Sequence, residues 1–269
     1  MPSVEIIRSR SNPLVRRLRG LKQKSEDELC LIEGPKLLGE ALGAGLEIVE
    51  VAAAPRFEHS REGPTLLARL LSAGIQVRWL EDNLLDSLSE TETSPGLVAL
   101  ARRPLFDESA IVDGPAALVL VAVAIQNPGN LGGLLRTAEA AGATGAYLTY
   151  GTADPLAWKA LRGSMGSAFR LPQVRGNEPG PLLERLRERG LGIVATVADG
   201  GTPYTAARLG GPVALVLGSE GAGLSEDLLR LADERVTIPL HPPVESLNVG
   251  VAAGILLFEA VRQRQKERT

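Results

Sequence analysis

The chain has 269 residues, of which 44% are hydrophobic and 23% are charged, so we expect a globular protein with one large core or two smaller ones rather than a disordered chain. Its formal net charge of -3 argues against a uniformly basic coat for nucleic acid. A single cysteine, Cys30, excludes an internal disulfide and a cysteine-rich zinc site, and the two histidines, His59 and His241, exclude a multi-histidine metal centre.

No apolar run is long enough to span a bilayer, and the first residues lack the basic-then-apolar order of a secretion signal. We therefore expect a cytoplasmic protein without a membrane segment and without a metal site. Cys30 lies in the apolar run of residues 29–32, which predicts a buried thiol.

The charge is distributed unevenly, because the start of the chain has a basic stretch that contains no acid. Asn12 followed by Pro13 is typical of a helix N-cap and first turn, which predicts a helix from about Pro13 to Lys24. Such a run is either a solvated helix face or a phosphate-binding surface. The candidate RNA contacts are Arg8, Arg10, Arg16, Arg17, Arg19, Lys22 and Lys24.

The first hundred residues alternate short apolar runs with helix-like stretches, which predicts a compact α/β domain over residues 1–103. The predicted strands are 48–53, 76–80 and 96–101, and the predicted helices are 36–44 and 65–73. Residues 104–115 are polar and bounded by prolines, which is typical of a linker between domains.

From residue 116 the pattern is β–α–β, which predicts a second domain over residues 116–269 with a parallel sheet covered by helices. The predicted strands are 116–124, 146–149, 191–196, 213–217 and 235–239, and the predicted helices are 131–141, 181–189 and 244–265. The small and apolar residues 249–254 of the last helix predict close packing against another helix of the same chain or of a partner.

In such sheets ligands bind beyond the carboxyl ends of the strands, and three loops of the second domain carry polar residues there. These loops are residues 126–133, 217–225 and 238–248. The first does not have the glycine spacing of a dinucleotide fingerprint, and the second lacks the Gly-Lys-Ser/Thr of a Walker loop. We predict a polar site formed by Asn130, Arg136, Glu220, Ser246 and Asn248.

Four of these residues also have a simpler interpretation. Glu220 is either a solvated acid or an acid aimed at the strand ends. Arg136 is either an exposed helix arginine or a ligand for a phosphate in front of the helix N-terminus. Ser246 and Asn248 either cap the last helix or reach the site. Ser225 is typical of an N-cap, which predicts a helix that continues through Glu226 and Asp227.

Taken together, the motifs resemble the SpoU (TrmH-like) branch of the SPOUT RNA methyltransferases. They are residues 127–132 (Asn-Pro-Gly-Asn-Leu-Gly) with Arg136, 217–224 (Leu-Gly-Ser-Glu-Gly-Ala-Gly-Leu) and 245–249 (Glu-Ser-Leu-Asn-Val), with 163–167 and 169–172 between them. The match runs from about Ala117 to the end. Residues 11–15 and 31–34 are similar to the substrate-binding domain of longer members, which has a ribosomal-protein L30e-like α/β fold.

The resemblance implies a deep trefoil knot in the C-terminal domain, a homodimer formed through it, and transfer of a methyl group from S-adenosylmethionine to a ribose 2′-hydroxyl. It also implies that the dimer interface brings residues of two chains to one catalytic site. The residues that match the family's polar catalytic positions are Asn130, Arg136, Glu220, Ser246 and Asn248. The implied cofactor-binding residues are Thr196, Leu217, Gly218, Ile238, Leu240 and Leu247.

The sequence departs from the family pattern in places that leave every proposed catalytic side chain intact. Asn127 stands where an acid is frequent, residues 241–243 (His-Pro-Pro) replace a stretch that usually contains glycine, and Gly250 replaces a frequent serine.

Arginine is a poor general base, because guanidinium keeps its proton far above neutral pH. We therefore expect Arg136 to orient the target phosphate and ribose, while a phosphate oxygen or Ser246 relays the proton.

The N-terminal basic helix favours a folded ribosomal RNA as substrate over transfer RNA, because phosphate contacts can position a large shape. Two alternatives stay open. One is a catalytically inactive RNA-binding scaffold, and the other is a nucleotide-binding oxidoreductase, which the missing glycine fingerprint disfavours.

Overall fold

The computed structural model of the chain describes residues 5–23, 28–89, 91, 93–114 and 116–267, with the backbone alone for residues 22, 23 and 267. The fold divides into two compact units. Unit 1 comprises Met1–Pro104 and Leu156–Phe169, and unit 2 comprises Leu105–Pro155 and Arg170–Thr269.

These units differ from the predicted domain boundaries in two places. The predicted linker, residues 104–115, contains a short helix whose Ile111 and Val112 are buried in the core of unit 2. The segment Leu156–Phe169, predicted as part of the second domain, belongs to unit 1. The helix in the predicted linker was not expected because most of that segment is polar. The placement of Leu156–Phe169 depends on tertiary packing, which the local sequence does not encode.

Unit 1 has a mixed sheet with the strand order β1-β4-β3-β5-β2, in which β1, β4 and β3 run parallel and β5 is antiparallel to β3 and β2. Its elements are β1 (Ile6–Ile7), α1 (Pro13–Gln23), β2 (Leu29–Glu33), α2 (Pro35–Gly43), β3 (Ile48–Ala53), α3 (Pro55–Glu58), α4 (Gly63–Ser72), β4 (Val77–Leu80), α5 (Asp82–Asp86) and β5 (Leu97–Arg102). The α/β composition predicted for this region is confirmed.

Helix α1 shows why the N-terminal pattern folds as predicted. The Asn12 side-chain oxygen accepts a hydrogen bond from the Leu14 N–H at 2.9 Å, which caps the helix where Pro13 begins it. Leu14, Val15, Leu18 and Leu21 are buried in one hydrophobic cluster of unit 1. Cys30 on β2 is buried as predicted, at 3% exposure.

Unit 2 has a seven-stranded sheet with the order β10-β12-β9-β11-β6-β7-β8, and every neighbouring pair in it is parallel. Its elements are α6 (Ser109–Val112), β6 (Leu118–Ala122), α7 (Pro128–Ala140), β7 (Gly145–Thr149), β8 (Gln173–Asn177), α10 (Pro179–Glu188), β9 (Gly192–Thr196), β10 (Thr202–Pro203), β11 (Val213–Leu217), α11 (Glu226–Arg230), β12 (Glu234–Thr237) and α12 (Val249–Glu267). Two short helices, α8 (Trp158–Ser164) and α9 (Ser167–Arg170), connect β7 to β8.

The parallel sheet of unit 2 has the continuous apolar strands that burial on both faces requires. All five residues are buried in each of β6, β7 and β11. Helices α7 and α12 pack against each other, and a Cβ atom added at Gly254 would lie 3.5 Å from Thr137 Cγ2. The predicted close packing of the small residues of α12 is therefore confirmed, with α7 of the same chain as the neighbour.

Two predictions about unit 2 are wrong in detail. The last helix begins at Val249 rather than Val244, because the Asn248 side-chain oxygen caps it by accepting a hydrogen bond from the Gly250 N–H at 2.9 Å. Strand β8 was missed, because its sequence, Gln-Val-Arg-Gly-Asn, belongs to a partly exposed edge strand without an apolar pattern.

Within the part of the chain that the structure describes, every helix is too short or too polar to cross a membrane.

Candidate functional site

Three polar side chains from the three predicted loops meet at the carboxyl edge of the unit 2 sheet. The Asn248 side-chain amide lies 3.2 Å from Asn130 Oδ1 and 3.1 Å from Glu220 Oε1. Asn130 follows β6, Glu220 follows β11 and Asn248 follows β12. Because parallel strands end at a common edge, residues separated by 118 and 28 positions are brought into contact. The structure thus joins three of the five residues predicted to form the polar site.

The orientation of the Asn248 amide is fixed by the start of α12. Its oxygen accepts from the Gly250 N–H, so its nitrogen donates to Asn130 and Glu220. Capping the last helix and reaching the site were the two interpretations of Asn248, and the side chain does both. The capping interaction holds the amide in the orientation that reaches Asn130 and Glu220.

Asn130 is positioned by a cap at the start of α7. The Asn127 side-chain oxygen accepts from the Gly129 N–H at 2.8 Å and from the Asn130 N–H at 3.3 Å, and Pro128 stands in the first turn. This positioning role was not among the sequence-based predictions. The Asn-Pro pair at 127–128 is the signal for it, because the same pair at 12–13 predicts a helix cap.

Glu220 lies in a loop that turns back on itself after β11. The Gly223 N–H donates to the Ser219 carbonyl at 2.9 Å, and Gly223 adopts a φ of 63°, which favours glycine. A Cβ atom added at Gly218 would lie 2.3 Å from the Gly223 carbonyl carbon, so only glycine fits there. The glycines of this motif therefore close a tight turn that presents Glu220.

A cavity of about 550 Å³ opens beside this cluster within unit 2. Its wall includes all six residues predicted to bind the cofactor, Thr196, Leu217, Gly218, Ile238, Leu240 and Leu247, together with Glu220 and Ser246. Apolar side chains and glycine-rich backbone make up most of this wall. The Thr196 hydroxyl donates to the Val216 carbonyl at 3.1 Å, so this side chain also holds β9 against β11.

Further residues of the cavity wall were not predicted. They are Val197, Ala198, Ser219, Gly221, Ala222, Gly223, Val236, Glu245, Val249, Ala252 and Leu256. Most are neighbours of predicted residues, but Ala252 and Leu256 belong to α12. They were missed because their apolar character indicates only a buried helix face.

Ser246 and Arg136 do not join the hydrogen-bonded cluster. Ser246 is exposed at the cavity wall. Arg136 is exposed on α7, six residues after Asn130, which corresponds to roughly 240° around a helix. It makes no hydrogen bond or ion pair with any residue that the structure describes. Its side chain is thus available to a ligand or to a second protein chain.

The residues predicted to contact RNA lie at the start of unit 1. Arg8, Arg10, Arg16 and Arg17 are exposed, Arg19 is half-buried, and Lys24 and the side chain of Lys22 lie outside the described residues. Arg17 Nη1 is 4.0 Å from Glu50 Oε2, so an acid of the same unit partly compensates the charge of Arg17. RNA binding by this helix stays a prediction.

Among the described residues, no group of three or more His, Cys, Asp and Glu side chains is arranged to hold a metal ion.

A parallel sheet with an amide–carboxylate cluster and an apolar cavity beyond its strand ends defines an α/β protein with a candidate ligand site in the position typical of such sheets. Comparison with known proteins identifies the particular family. The profile of the SpoU rRNA methylase family matches residues 117–258, and that of the MRM3-like substrate binding domain matches residues 12–99. The chain belongs to the SpoU rRNA methylase family, and the resemblance stated from its motifs is confirmed.

Similar proteins cover nearly the whole chain. An uncharacterised tRNA/rRNA methyltransferase of Synechocystis is 37% identical over 96% of this chain and 94% of its own length. The 23S rRNA (guanosine(2553)-2′-O)-methyltransferase RlmP of Bacillus subtilis is 35% identical over 90% of this chain and 92% of its own length. The crystal structure of an AdoMet-bound rRNA methyltransferase from Sinorhizobium meliloti superposes with a TM-score of 0.82 at 30% identity, covering 96% of this chain and 97% of that one.

Proposed function

We propose that this protein transfers a methyl group from S-adenosylmethionine to a ribose 2′-hydroxyl of ribosomal RNA. The observation that carries the proposal is the Asn130–Asn248–Glu220 cluster beside a cavity lined by all six residues that the family resemblance assigns to the cofactor. The B. subtilis relative, named as a 23S rRNA 2′-O-methyltransferase, supports the reaction and the substrate class.

The cavity fits S-adenosylmethionine in size and chemistry. A volume of about 550 Å³ lies within the range of small-molecule sites. Leu217, Ile238 and Leu240 offer apolar surface and backbone groups to an adenosine, and the close turn at Gly218 leaves backbone where a side chain would intrude. Glu220 supplies a negative charge at the cavity wall, which suits a cationic ligand.

The protein's task in this reaction is alignment and proton removal, since bound S-adenosylmethionine supplies a methyl group already activated by the positive charge on sulfur. Asn248 donates to both Glu220 and Asn130, and so holds the Glu220 carboxylate in one orientation. Arg136 orients the phosphate and ribose of the target nucleotide through its planar fork of donors. Ser246 or a phosphate oxygen relays the proton of the 2′-hydroxyl.

A second copy of the chain completes the site in this proposal. Val251 and Phe258 lie seven residues apart on α12 and are 52% and 51% exposed, which leaves an apolar stripe on this helix. Arg136 projects from α7, which packs against α12, and it does not reach the Asn248–Glu220 cluster of its own chain. A homodimer formed through these helices buries the stripe and brings the partner's arginine to the site.

The family resemblance extends the proposal to features of the whole molecule. Unit 2 would be tied in a deep trefoil knot around the segment that follows β12, and unit 1 would have a ribosomal-protein L30e-like fold that binds the RNA substrate. The match of residues 12–99 to a substrate-binding domain supports the role of unit 1. The enzyme would act in the cytoplasm.

The deciding experiment measures transfer of labelled methyl from S-adenosylmethionine to unmethylated ribosomal RNA and to bulk transfer RNA. Nuclease mapping then locates the modified ribose. A 2′-O-methyl product in ribosomal RNA supports the proposal, and a product only in transfer RNA would make this the substrate instead. RNA binding with no cofactor binding would favour the inactive scaffold.

A further inference from the structure

A second concave surface lies in unit 1, at the start of α2 and α4, and the proposed chemistry does not use it. Two adjoining cavities of about 550 and 410 Å³ share Pro35, Lys36 and Glu62. We call the two together the α2–α4 cleft. The first is also lined by Arg61, Thr65, Leu66 and Arg69, and the second by Glu33, Gly34, Leu37, Thr91, Thr93, Pro95, Trp158, Arg162 and Met165.

The first cavity carries cations that the protein itself does not neutralise. Lys36, Arg61 and Arg69 are exposed, and none forms an ion pair with a residue in the described ranges. The Arg69 guanidinium donates to the Gly39 carbonyl at 3.4 Å and to no other group of the described residues. Glu62 is the one acid among the residues lining this cavity. The cavity therefore has a positive excess that calls for an anionic ligand.

Other arginines of unit 1 behave differently. Arg56 pairs with Asp82 and Asp86, and Arg102 pairs with Glu28 and Glu47. Arg61 and Arg69 have no such acidic partner among the described residues, so their guanidinium groups stay available to a ligand.

The second cavity adds an aromatic ring backed by a cation. The Arg162 guanidinium carbon lies 4.9 Å from the centroid of the Trp158 ring, one turn away on α8. Stacking of this kind holds both groups flat and keeps the guanidinium donors available. Thr91 and Thr93 contribute hydroxyls to the same cavity. Two acids line this cavity, Glu33 and Glu62, and Glu33 already accepts hydrogen bonds from Ser89 and Thr91 within unit 1.

Phosphate-binding cations next to a stacked tryptophan and hydroxyl groups match the surface by which proteins hold single-stranded RNA. We propose that the α2–α4 cleft binds an unpaired segment of the RNA substrate, with phosphates at Lys36, Arg61 and Arg69 and a base against Trp158 and Arg162. This inference rests on the proposed function for the identity of the RNA. It assigns RNA contacts to residues outside the basic run of α1.

The first test measures the salt dependence of RNA binding by the full chain, with an unmethylated 23S ribosomal RNA fragment as probe. The variant Arg61→Gln/Arg69→Gln is compared with Arg78→Gln/Arg208→Gln, which removes the same charge from exposed positions outside the cleft. The logarithm of the RNA-binding constant falls as the logarithm of the salt concentration rises. We expect this fall to be less steep in the cleft variant, by about 1.4 in slope, which is about 0.7 for each of the two lost phosphate contacts. Equal slopes for the two variants would overturn the proposal.

The second test uses fluorescence, because Trp79 and Trp158 are the 2 tryptophans of the chain. Trp79→Phe leaves Trp158 as the only reporter, and a decamer of uridine is the probe. If a base stacks on Trp158, added RNA should quench the Trp158 fluorescence in a saturable way. Arg162→Gln should raise the dissociation constant obtained from this quenching roughly tenfold. Unchanged fluorescence at an RNA concentration that saturates binding would refute a base at Trp158.

These outcomes separate the cleft from the catalytic proposal. Quenching and a reduced salt slope in a protein that transfers no methyl group would support the cleft and refute the enzyme function. If the protein transfers methyl groups and Arg61→Gln/Arg69→Gln keeps the wild-type salt dependence of RNA binding, the enzyme function is supported and the cleft proposal is refuted.

Discussion

The side-chain amide of Asn248 donates to Glu220 Oε1 at 3.1 Å, while the Asn248 oxygen accepts from the Gly250 N–H at 2.9 Å. One amide therefore connects the start of α12 to the carboxylate beside the cavity. A side chain with an acceptor at both ends could not make this connection, because Glu220 needs a donor. The relationship makes asparagine, rather than any polar residue, necessary at position 248.

Asn248→Asp tests this requirement. The variant still caps α12, but it places a second carboxylate beside Glu220 and removes the donor to Asn130. We expect the single-turnover methylation rate to fall about 100-fold, as for the loss of an oriented donor at a reacting centre. The control is Asn127→Asp, which keeps the acceptor that caps α7 and should retain the wild-type rate. Equal rates for the two variants would contradict the assigned role of the Asn248 amide.

The turn at Gly218 gives a second prediction. In Gly218→Ala the new methyl group would overlap the Gly223 carbonyl, so the loop that carries Glu220 must open. We expect cofactor affinity, measured by calorimetry, to fall at least tenfold, and the free energy of unfolding to fall by about 1–3 kcal/mol. Gly211→Ala is the matched control, because a Cβ there meets nothing within 4 Å. A Gly218→Ala protein with wild-type affinity would show that the turn does not shape the cavity.

The residues that sequence analysis located best are those fixed by local rules. Strand β11 has the predicted bounds, and Asn12 and Ser225 cap helices as expected. Glycine and proline spacing also placed Asn130, Glu220 and Asn248 on strand-end loops. Parallel topology then required those loops to share one edge, so their contact could be expected without coordinates.

Long-range packing accounts for what was missed. The segment Leu156–Phe169 follows β7 in sequence but belongs to unit 1, and no local pattern distinguishes the two possibilities. Strand β8 forms because an existing edge at β7 offers hydrogen bonds, not because its own side chains favour a strand. The α2–α4 cleft combines residues 33–95 with residues 158–165, so it could not be found from a basic run in the sequence.

The position of Arg136 leads to a prediction about assembly. In a symmetric dimer whose sites each take Arg136 from the partner, a mixture of Arg136→Ala and Asn248→Ala chains contains heterodimers with one intact site. We expect each variant alone to be nearly inactive, and the re-equilibrated mixture to recover roughly a quarter of the wild-type methylation rate. Recovery is absent if both residues act within one chain.

The chemistry required of Arg136 is tested separately. Arg136→Lys keeps the positive charge but loses the planar fork that binds phosphate in two places. We expect a fall of at least about tenfold in the single-turnover rate, with cofactor affinity retained. Full activity in this variant would refute the need for guanidinium geometry, even if the dimer experiment succeeds.

Glu259 gives a pH-dependent prediction for the stability of unit 2. This carboxylate is 7% exposed and accepts hydrogen bonds from Arg262 Nε at 2.7 Å and from Gln263 Nε2 at 2.8 Å. The hydrogen bonds from Arg262, with that from Gln263, lower the pKa of Glu259 below its ordinary value. Gln263 in turn bonds the Leu209 N–H and the Ala207 carbonyl, so the ionised form helps hold α12 to this loop.

A carboxyl group whose pKa is lower in the folded than in the unfolded chain stabilises the fold at any pH above its unfolded pKa, which is about 4.3 for glutamate. This stabilisation is lost as the pH falls from the unfolded pKa through the folded pKa. Glu259→Gln should therefore lower the free energy of unfolding by about 1 kcal/mol at pH 7. The difference from wild type should begin to shrink as the pH falls below the unfolded value of about 4.3 and should disappear below the lower folded value. Glu188→Gln, at an exposed position on α10, should follow the wild-type curve throughout. Denaturant unfolding at a series of pH values measures all three proteins, and a Glu259→Gln deficit that stays constant down to pH 3 would exclude ionisation as its cause.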